Sequence, residues 1–326
     1  MGCGGEQGDA SGTGTTHSIG VFIPGVLSGS AVYEMLASGV QKAVEEFASS
    51  GEEARVLVIE GGYNQAEWET KVSVMAASRS YDLIVSSNPS LPVIVNNVSA
   101  KFPYQRFLLL DGELEGNSSV YSMRYNQREQ AYMAGYIAAL QTEEMNGERR
   151  IGLIAAQEYP VMNQIILPGY LEGAQAVNDL FQVEFRLVGN WFDAVKAGEL
   201  AADLIARGVN VILCVSGSAN EGVVQTAENL GAKVVWFDVN GYGVRPGTVI
   251  GSAVLRQEEA AYFQTMRYLK GELPFGKAEA VGVKDGYVDF IQDDPRYRAA
   301  LSFAVREKQA LMIKRIHSGD LLLPGG

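Results

Sequence analysis

Histidine and cysteine are scarce in this 326-residue sequence, which contains only two of each. His17 and His317 lie near opposite ends of the chain, and no group of histidines and cysteines has the spacing of a zinc site. We therefore expect no bound metal ion. Cys214 lies in an apolar strand-like run, where a free thiol packs as a small hydrophobic side chain. A disulfide with Cys3 would require the start of the chain to enter that strand.

Basic residues and long apolar runs are also few. Lysine and arginine number 26 against 38 acidic residues, and the formal net charge of −12 is spread along the chain. Because nucleic acids and anionic membrane surfaces both select a basic face, we expect no nucleic-acid partner. No run of eighteen apolar residues occurs, so the sequence predicts no membrane-spanning helix. The length and the 47% hydrophobic content favour a globular protein with two domains.

The usual catalytic fingerprints are missing as well. The sequence contains neither a Walker phosphate loop nor a Gly-x-Ser-x-Gly elbow. Residues 217–222 come nearest to a dinucleotide fingerprint but lack its middle glycine, although this helix start could hold a polar group. We therefore predict a binding protein and no enzyme. The alternatives are an enzyme acting on a nucleotide-like substrate and a ligand-gated regulator, and the regulator would need an N-terminal helix-turn-helix.

Strand-like apolar runs alternate with helical periodicity from residue 17 onward, which indicates parallel sheets covered on both faces. The pattern occurs twice and predicts an α/β protein with two Rossmann-like lobes and a cleft between them. Strands are predicted at residues 18–23, 55–60, 83–87, 107–111, 120–123, 151–155, 183–188, 209–215, 233–238 and 249–253, with further extended segments at 275–283 and 287–292. Helices are predicted at residues 30–49, 65–78, 91–100, 127–144, 163–179, 194–206, 219–230, 258–270 and 297–317.

Three crossings between the lobes are predicted near residues 123–127, 252–256 and 284–286. They give an N-terminal lobe of residues 17–125 plus 254–285 and a C-terminal lobe of residues 126–253 plus 286–326. Three connecting strands form a hinge that allows the lobes to close on a ligand but hardly to twist.

The first sixteen residues form a tether rich in glycine, serine and threonine. Cys3, followed by small residues, resembles the lipidated cysteine at the start of a mature bacterial lipoprotein, in which case the signal peptide has been removed and Met1 and Gly2 are additions. The prediction is a periplasmic protein anchored to the inner membrane through acylated Cys3. A cytoplasmic protein with an irregular N-terminus is the alternative.

Two aromatic residues, Trp191 and Phe192, stand where a strand gives way to a helix. Ligands of open α/β sheets bind at the carboxyl ends of strands, so this corner is expected to face a ligand, although a tryptophan that anchors the loop would give the same pattern. Asp193 is predicted to cap the following helix. Asp111 and Asp238 end strands of different lobes and could meet across the cleft, where they would accept hydrogen bonds from hydroxyl or ring NH groups.

Several segments resemble the basic membrane protein family, which includes purine nucleoside receptor lipoproteins that serve ABC importers. The most specific are residues 189–194 (GNWFDA), 208–212 (GVNVI) and 216–224 (SGSANEGVV), supported by residues 102–103 and 106–111. The resemblance extends from about residue 18 to residue 323. It implies a type I periplasmic-binding-protein fold, an interlobe ligand cleft, and a permease and an ATPase as partners.

The resemblance also implies roles for residues in the cleft. Trp191 stands where the family places an aromatic ring on the base, and Asp238 where an aspartate accepts ribose hydroxyls. Asp111 and Asn88 fall at matching cleft positions.

Departures from the family pattern indicate a ligand other than a purine nucleoside. The acidic first loop is missing, Tyr33 follows Val32 where the family has its base-reading pair, and Leu255 with Arg256 replaces a lysine. Each lost partner costs about 1–3 kcal/mol if it leaves a buried polar group unpaired. The expected pocket is flatter and more apolar, with added aromatics, and the sequence resembles the riboflavin-uptake branch of the family. Riboflavin is therefore the predicted ligand, and a purine nucleoside (inosine, guanosine or adenosine) is the alternative. The predicted ligand-binding residues are Tyr33, Asn88, Asp111, Tyr125, Trp191, Asn220, Asp238 and Arg256.

Overall fold

The computed structural model describes residues 16–323. Cys3 and the predicted tether, apart from Thr16, lie outside the described residues. In the first part of the chain, strands and helices alternate as β1 (His17–Ile23), α1 (Ala31–Ser49), β2 (Ala54–Glu60), α2 (Trp68–Ala77), β3 (Leu83–Ser87), α3 (Leu91–Lys101), β4 (Arg106–Leu110) and β5 (Val120–Tyr125).

The second part repeats this alternation, and its last strands are divided between the two sheets. Its elements are α4 (Gln127–Glu144), β6 (Arg150–Ala155), α5 (Leu167–Gln175), β7 (Gln182–Leu187), α6 (Ala194–Ala206), β8 (Val211–Val215), α7 (Asn220–Leu230), β9 (Lys233–Asp238) and β10 (Val249–Leu255). They are followed by α8 (Gln257–Leu269), β11 (Ala278–Val281), β12 (Val288–Phe290), α9 (Pro295–Ala300) and α10 (Phe303–Ser318).

These strands form two six-stranded sheets. The first has the order β11-β5-β4-β3-β1-β2, and all of its pairs are parallel. The second has the order β12-β10-β9-β8-β6-β7 and is parallel except at β12. All five residues of β3 and of β8 are buried, because helices cover both faces of each central strand. The predicted α/β fold with two lobes is confirmed.

The chain passes between the two sheets three times: after β5, after β10 and between β11 and β12. The crossing segments are hydrogen-bonded to one another. The Asn126 amide donates to the Val281 carbonyl (2.7 Å), and the Arg256 amide donates to the Tyr287 carbonyl (2.9 Å). Beyond the second crossing, α8 packs on α1 in the first lobe. The hinge therefore consists of three hydrogen-bonded crossing segments rather than three independent loops.

Close helix packing fixes the corner that carries Trp191. A Cβ atom on Gly222 of α7 would lie 1.7 Å from the Ala194 carbonyl oxygen of α6, so only glycine permits this approach. Asp193 caps the start of α6, and its side chain accepts a hydrogen bond from the Lys196 amide (2.9 Å). This confirms the predicted helix cap.

The structure corrects two predicted helices. The expected helix over residues 297–317 is two helices, and the second starts at Ser302, whose hydroxyl accepts a hydrogen bond from the Val305 amide. The expected helix over residues 163–179 includes a π-helical turn, Met162–Ile166, before α5 and ends at Gln175. The apolar spacing runs through both irregularities, so periodicity alone could not locate them.

Candidate functional site

The candidate site lies between the carboxyl ends of the strands of the two sheets. Strand order reverses between β1 and β3 in one sheet and between β6 and β8 in the other, and ligands of such sheets bind outside these switch points. Most of the predicted site residues follow strand ends: Tyr33 comes after β1, Asn88 after β3, Asp111 after β4, Trp191 after β7 and Asn220 after β8, while Tyr125 and Asp238 end β5 and β9.

Three predicted residues meet in the first lobe. The Asn88 side-chain amide donates to the Tyr33 hydroxyl (3.1 Å), and its oxygen accepts from the Ser90 amide (2.8 Å), which fixes its orientation. Burial raises the pKa of Tyr33 to about 12, and the nearby Asp111 carboxylate adds to the shift. Tyr33 is therefore a neutral hydroxyl at the cleft.

Asp111 and Asp238 share an unusual backbone conformation. Their φ angles are +53° and +69°, in the left-handed region that few non-glycine residues adopt. Such a conformation costs about 1–3 kcal/mol and tends to cluster at functional sites. Each aspartate directly follows a buried residue at the end of an inner strand.

The charge of Asp238 also acts on Asp111 across the cleft. Burial raises the pKa of Asp111 to about 8, and the charge of Asp238 contributes to that shift. Burial raises the pKa of Asp238 to about 6, against a hydrogen bond from Gln130 that lowers it. Burial, and then both carboxylates, raise the pKa of Tyr159 above its ordinary value. At neutral pH the site therefore offers one protonated carboxyl and one ionised carboxylate.

The raised pKa of Asp111 predicts a pH-dependent stability. Folding favours its neutral form, so its stabilising contribution is fully present below about pH 4 and is lost as the pH rises to about 8. Asparagine tolerates the positive φ and stays uncharged. Asp111→Asn should therefore gain thermal stability relative to the parent as the pH is raised from 4 to 8. A difference in Tm that stays constant across this range would contradict the assignment.

Trp191 combines a fixed backbone with a partly open ring. Its carbonyl accepts from the Ala219 amide (3.2 Å) and the Ser218 hydroxyl (3.1 Å), while its side chain is 38% exposed. The Tyr159 ring lies 6.2 Å away, centroid to centroid, at 43°. The backbone bonds anchor the loop without using the indole ring, which stays partly exposed.

Tyr63 and Phe192 form a contact between the lobes, which we call the aromatic clasp. Their ring centroids are 6.3 Å apart, although the side chains are 72% and 64% exposed. Both supporting loops are held firmly. The Trp68 indole NH donates to the Gly62 carbonyl (2.9 Å), and the Asn190 side-chain oxygen accepts from the Phe192 amide (3.0 Å). The clasp therefore joins two hydrogen-bonded loops, one from each lobe.

Breaking the clasp should favour the open form of the cleft. Aromatic pairs contribute about 0.5–1.5 kcal/mol beyond area burial, so Tyr63→Ala should speed ligand release about 2- to 10-fold in stopped-flow experiments. Phe303→Ala, which removes an exposed ring from α10, is the control. Equal release rates in the parent and Tyr63→Ala would contradict a role for the clasp.

Three residues that were predicted to bind the ligand already have hydrogen-bond or ion-pair partners within the protein. The Tyr125 hydroxyl donates to Gln257 (2.6 Å) in the hinge. The Arg256 guanidinium pairs with Asp289 and Glu259. The Asn220 oxygen accepts from the amide and the hydroxyl of Ser216. Their ligand contacts stay predictions, and Arg256 would have to share its existing partners with a ligand.

Two glutamines at the site escaped sequence analysis. Gln127 and Gln130, in the first turns of α4, direct their side-chain amides toward Asp111 (3.5 Å) and Asp238 (3.1 Å). They are three residues apart and so share one helix face. Their position directly after the first crossing was the available signal, but glutamine at a helix start is too common to indicate a site.

Other kinds of site find no support in the described part of the chain. Residues 16–323 contain no cluster of three or more metal-ligating side chains. Within the same residues, no helix is both long and apolar enough to cross a membrane. Cys214 is a buried free thiol, and burial raises its pKa.

Proteins of known sequence and structure are similar to this chain. Sequence relatives include the CD4+ T-cell-stimulating antigen of Listeria monocytogenes, 27% identical over 177 residues, which are 53% of this chain and 48% of that protein. The ABC transporter nucleoside-binding protein BmpA of Lactococcus lactis is 26% identical over 155 residues, 48% of this chain and 43% of that protein. The chain thus matches about half the length of these curated relatives.

Similar solved structures extend over nearly the whole chain. An ABC transporter solute-binding protein of Aeropyrum pernix has a TM-score of 0.82 at 20% identity, covering 95% of this chain and 94% of that one. One of Conexibacter woesei has a TM-score of 0.67 at 17% identity, covering 95% and 99%. At this identity the likeness shows the periplasmic-binding-protein fold. The family model described as Bmp, "ABC transporter substrate-binding protein PnrA-like", matches residues 16–321, so this chain belongs to that family.

Proposed function

We propose that this protein is the substrate-binding component of an ABC importer and captures riboflavin between its lobes. The observation that carries the proposal is the partly exposed Trp191 ring beside Tyr159, a tyrosine whose pKa is raised by burial and by the acids Asp111 and Asp238. A flat ring offers a stacking surface to a planar heterocycle, and base–aromatic stacking contributes about 1–3 kcal/mol. An ionised carboxylate accepts hydrogen bonds from the hydroxyls of a polyol chain. Riboflavin carries both parts.

The charge of the site favours a neutral ligand over its phosphate ester. Asp238 is ionised at neutral pH, and the charged group that most affects the pKa of Asp111 is Asp238 itself. The nearby Arg256 is already paired with Asp289. A phosphate placed beside the Asp238 carboxylate would meet a like charge, so flavin mononucleotide should bind much more weakly than riboflavin.

A purine nucleoside is the second candidate. It also joins a planar ring to a hydroxylated sugar, and two observations favour it: the PnrA-like family description and the relative named as a nucleoside-binding protein. Riboflavin is our first choice because the sequence lacks the base-reading residues of the family and resembles its riboflavin-uptake branch.

The proposal includes partners and a location. The ligand would be delivered to a permease and an ATPase, and no catalysis is proposed. The lipid anchor at Cys3 and the periplasmic location remain proposals that rest on the sequence pattern around that cysteine.

Fluorescence titration tests the proposed ligand. Stacking against Trp191 should quench the emission of riboflavin, saturating at one ligand per chain, while flavin mononucleotide at the same concentration stays bright. Quenching of both flavins to the same extent would remove the argument from charge. Unchanged riboflavin emission together with inosine binding would contradict the riboflavin proposal and favour a purine nucleoside as the ligand.

A further inference from the structure

We propose that Gln130 is a positioning residue that keeps Asp238 as the hydrogen-bond acceptor of the cleft and leaves the proton on Asp111. It would thereby determine which end of a ligand faces which lobe. The inference rests on the proposed function only in that the ligand occupies this cleft. The contacts of Gln130 with Asp238 and Ala253 exist in the protein without a ligand.

The orientation of the Gln130 amide is fixed by two acceptors. The side chain is fully buried on α4, and its nitrogen donates both to Asp238 Oδ1 (3.1 Å) and to the Ala253 carbonyl (3.0 Å). Its own oxygen is buried without a hydrogen-bond partner among residues 16–323. Rotating the amide would place that oxygen against a carboxylate and a carbonyl, so the NH₂ group remains on Asp238.

The corresponding contact to Asp111 is much weaker. The Gln127 nitrogen lies 3.5 Å from Asp111 Oδ1, at the outer limit of a hydrogen bond. A donated hydrogen bond favours the ionised form of a carboxyl group, so the two glutamines stabilise the two acids unequally. The pKa values of about 6 for Asp238 and about 8 for Asp111 agree with this difference.

Other groups around the acids do not reverse this order. Tyr33, Tyr125 and Tyr159 interact with Asp111, and burial raises the pKa of each, so all three are neutral at pH 7. Tyr159 and the Cys214 thiol, whose pKa burial also raises, interact with Asp238. The hydrogen bond from Gln130 thus lowers the pKa of Asp238, whereas the charge of Asp238 adds to the rise that burial gives the pKa of Asp111.

The cleft would therefore have a hydrogen-bond donor at one lobe and a hydrogen-bond acceptor at the other. Protonated Asp111 donates a hydrogen bond and suits a carbonyl or ring-nitrogen acceptor at the first lobe. Ionised Asp238 accepts and suits hydroxyl or NH donors at the second lobe. A ligand with this polarity binds in one orientation, whereas a ligand with donors at both ends leaves one partner unsatisfied.

The test measures the titration of Asp238 in the ligand-free protein. Gln130→Met keeps an unbranched side chain but removes both hydrogen bonds, and Gln141→Met, another buried glutamine on α4, is the matched control. Carboxyl carbon NMR, with Asp238→Asn identifying the resonance, should show the Asp238 midpoint rising by about 1–2 pH units in Gln130→Met alone. Riboflavin affinity should then begin to fall at a correspondingly higher pH.

An unchanged Asp238 midpoint in Gln130→Met would overturn the inference, whatever the effect on Tm. If Gln130→Met does not fold, Gln130→Asn withdraws the amide by one methylene and should move the midpoint in the same direction. A parent protein that binds neither riboflavin nor inosine would refute the proposed function, but the titration of the ligand-free protein would still decide the role of Gln130.

Discussion

Replacing Trp191 with alanine should weaken riboflavin binding by about 1–3 kcal/mol, or roughly 5- to 150-fold, because the ligand loses its stacking surface. The loop itself should persist, since Ala219 and Ser218 donate to the backbone carbonyl of residue 191 and not to the ring. Calorimetric titration of the parent and Trp191→Ala measures the change. Thermal unfolding of both proteins should show similar midpoints.

Restoring a flat ring provides the control for this prediction. Trp191→Phe retains a smaller stacking surface and should recover much of the lost affinity. If Trp191→Ala instead binds as tightly as the parent while its Tm falls, the residue anchors the loop and does not stack on a ligand. That result would select the alternative that the sequence leaves open.

Replacing Asp238 with asparagine should weaken riboflavin binding by about 1.5–3 kcal/mol, or roughly 10- to 150-fold, since a charged acceptor for ligand hydroxyls becomes a neutral amide. Asparagine accepts the positive φ of this position, so the backbone should be kept. Asp203→Asn on α6, a residue engaged with Arg186 and Arg207, is the control and should leave affinity unchanged.

The same residue predicts how binding depends on pH. The Asp238 pKa of about 6 means that the carboxylate is ionised above pH 6 and becomes protonated below it. Affinity of the parent should therefore fall as the pH drops through about 6, whereas Asp238→Asn should show no such step in calorimetric titrations from pH 5 to 8. A step of equal size in both proteins would assign the titration to another group.

Sequence reasoning located the fold for a clear physical reason. Parallel strands buried on both faces must be almost wholly apolar, and β3 and β8 are. Once the strands are located, their carboxyl ends include Asp111 and Asp238, whose contacts with a ligand stay a prediction. The helix cap at Asp193 followed from local chemistry alone.

Features that depend on distant contacts could not be predicted in this way. The aromatic clasp joins Tyr63 and Phe192 from separate lobes, and nothing near either residue in sequence signals the other. Gln130 gains its role from Asp238 and Ala253, both more than a hundred positions away. Arg256 was predicted to bind the ligand, but its side chain pairs with Asp289. The sequence could not show this, because the two residues meet only when the crossing segments come together.

The identity of the ligand is the central claim, and isothermal titration calorimetry of the purified protein with riboflavin and inosine tests it most directly. The account predicts that riboflavin binds with one ligand per chain and at least tenfold tighter than inosine at pH 7.5, a difference of about 1.4 kcal/mol. Saturable binding of inosine with no heat from riboflavin would contradict the claim and assign the cleft to a nucleoside.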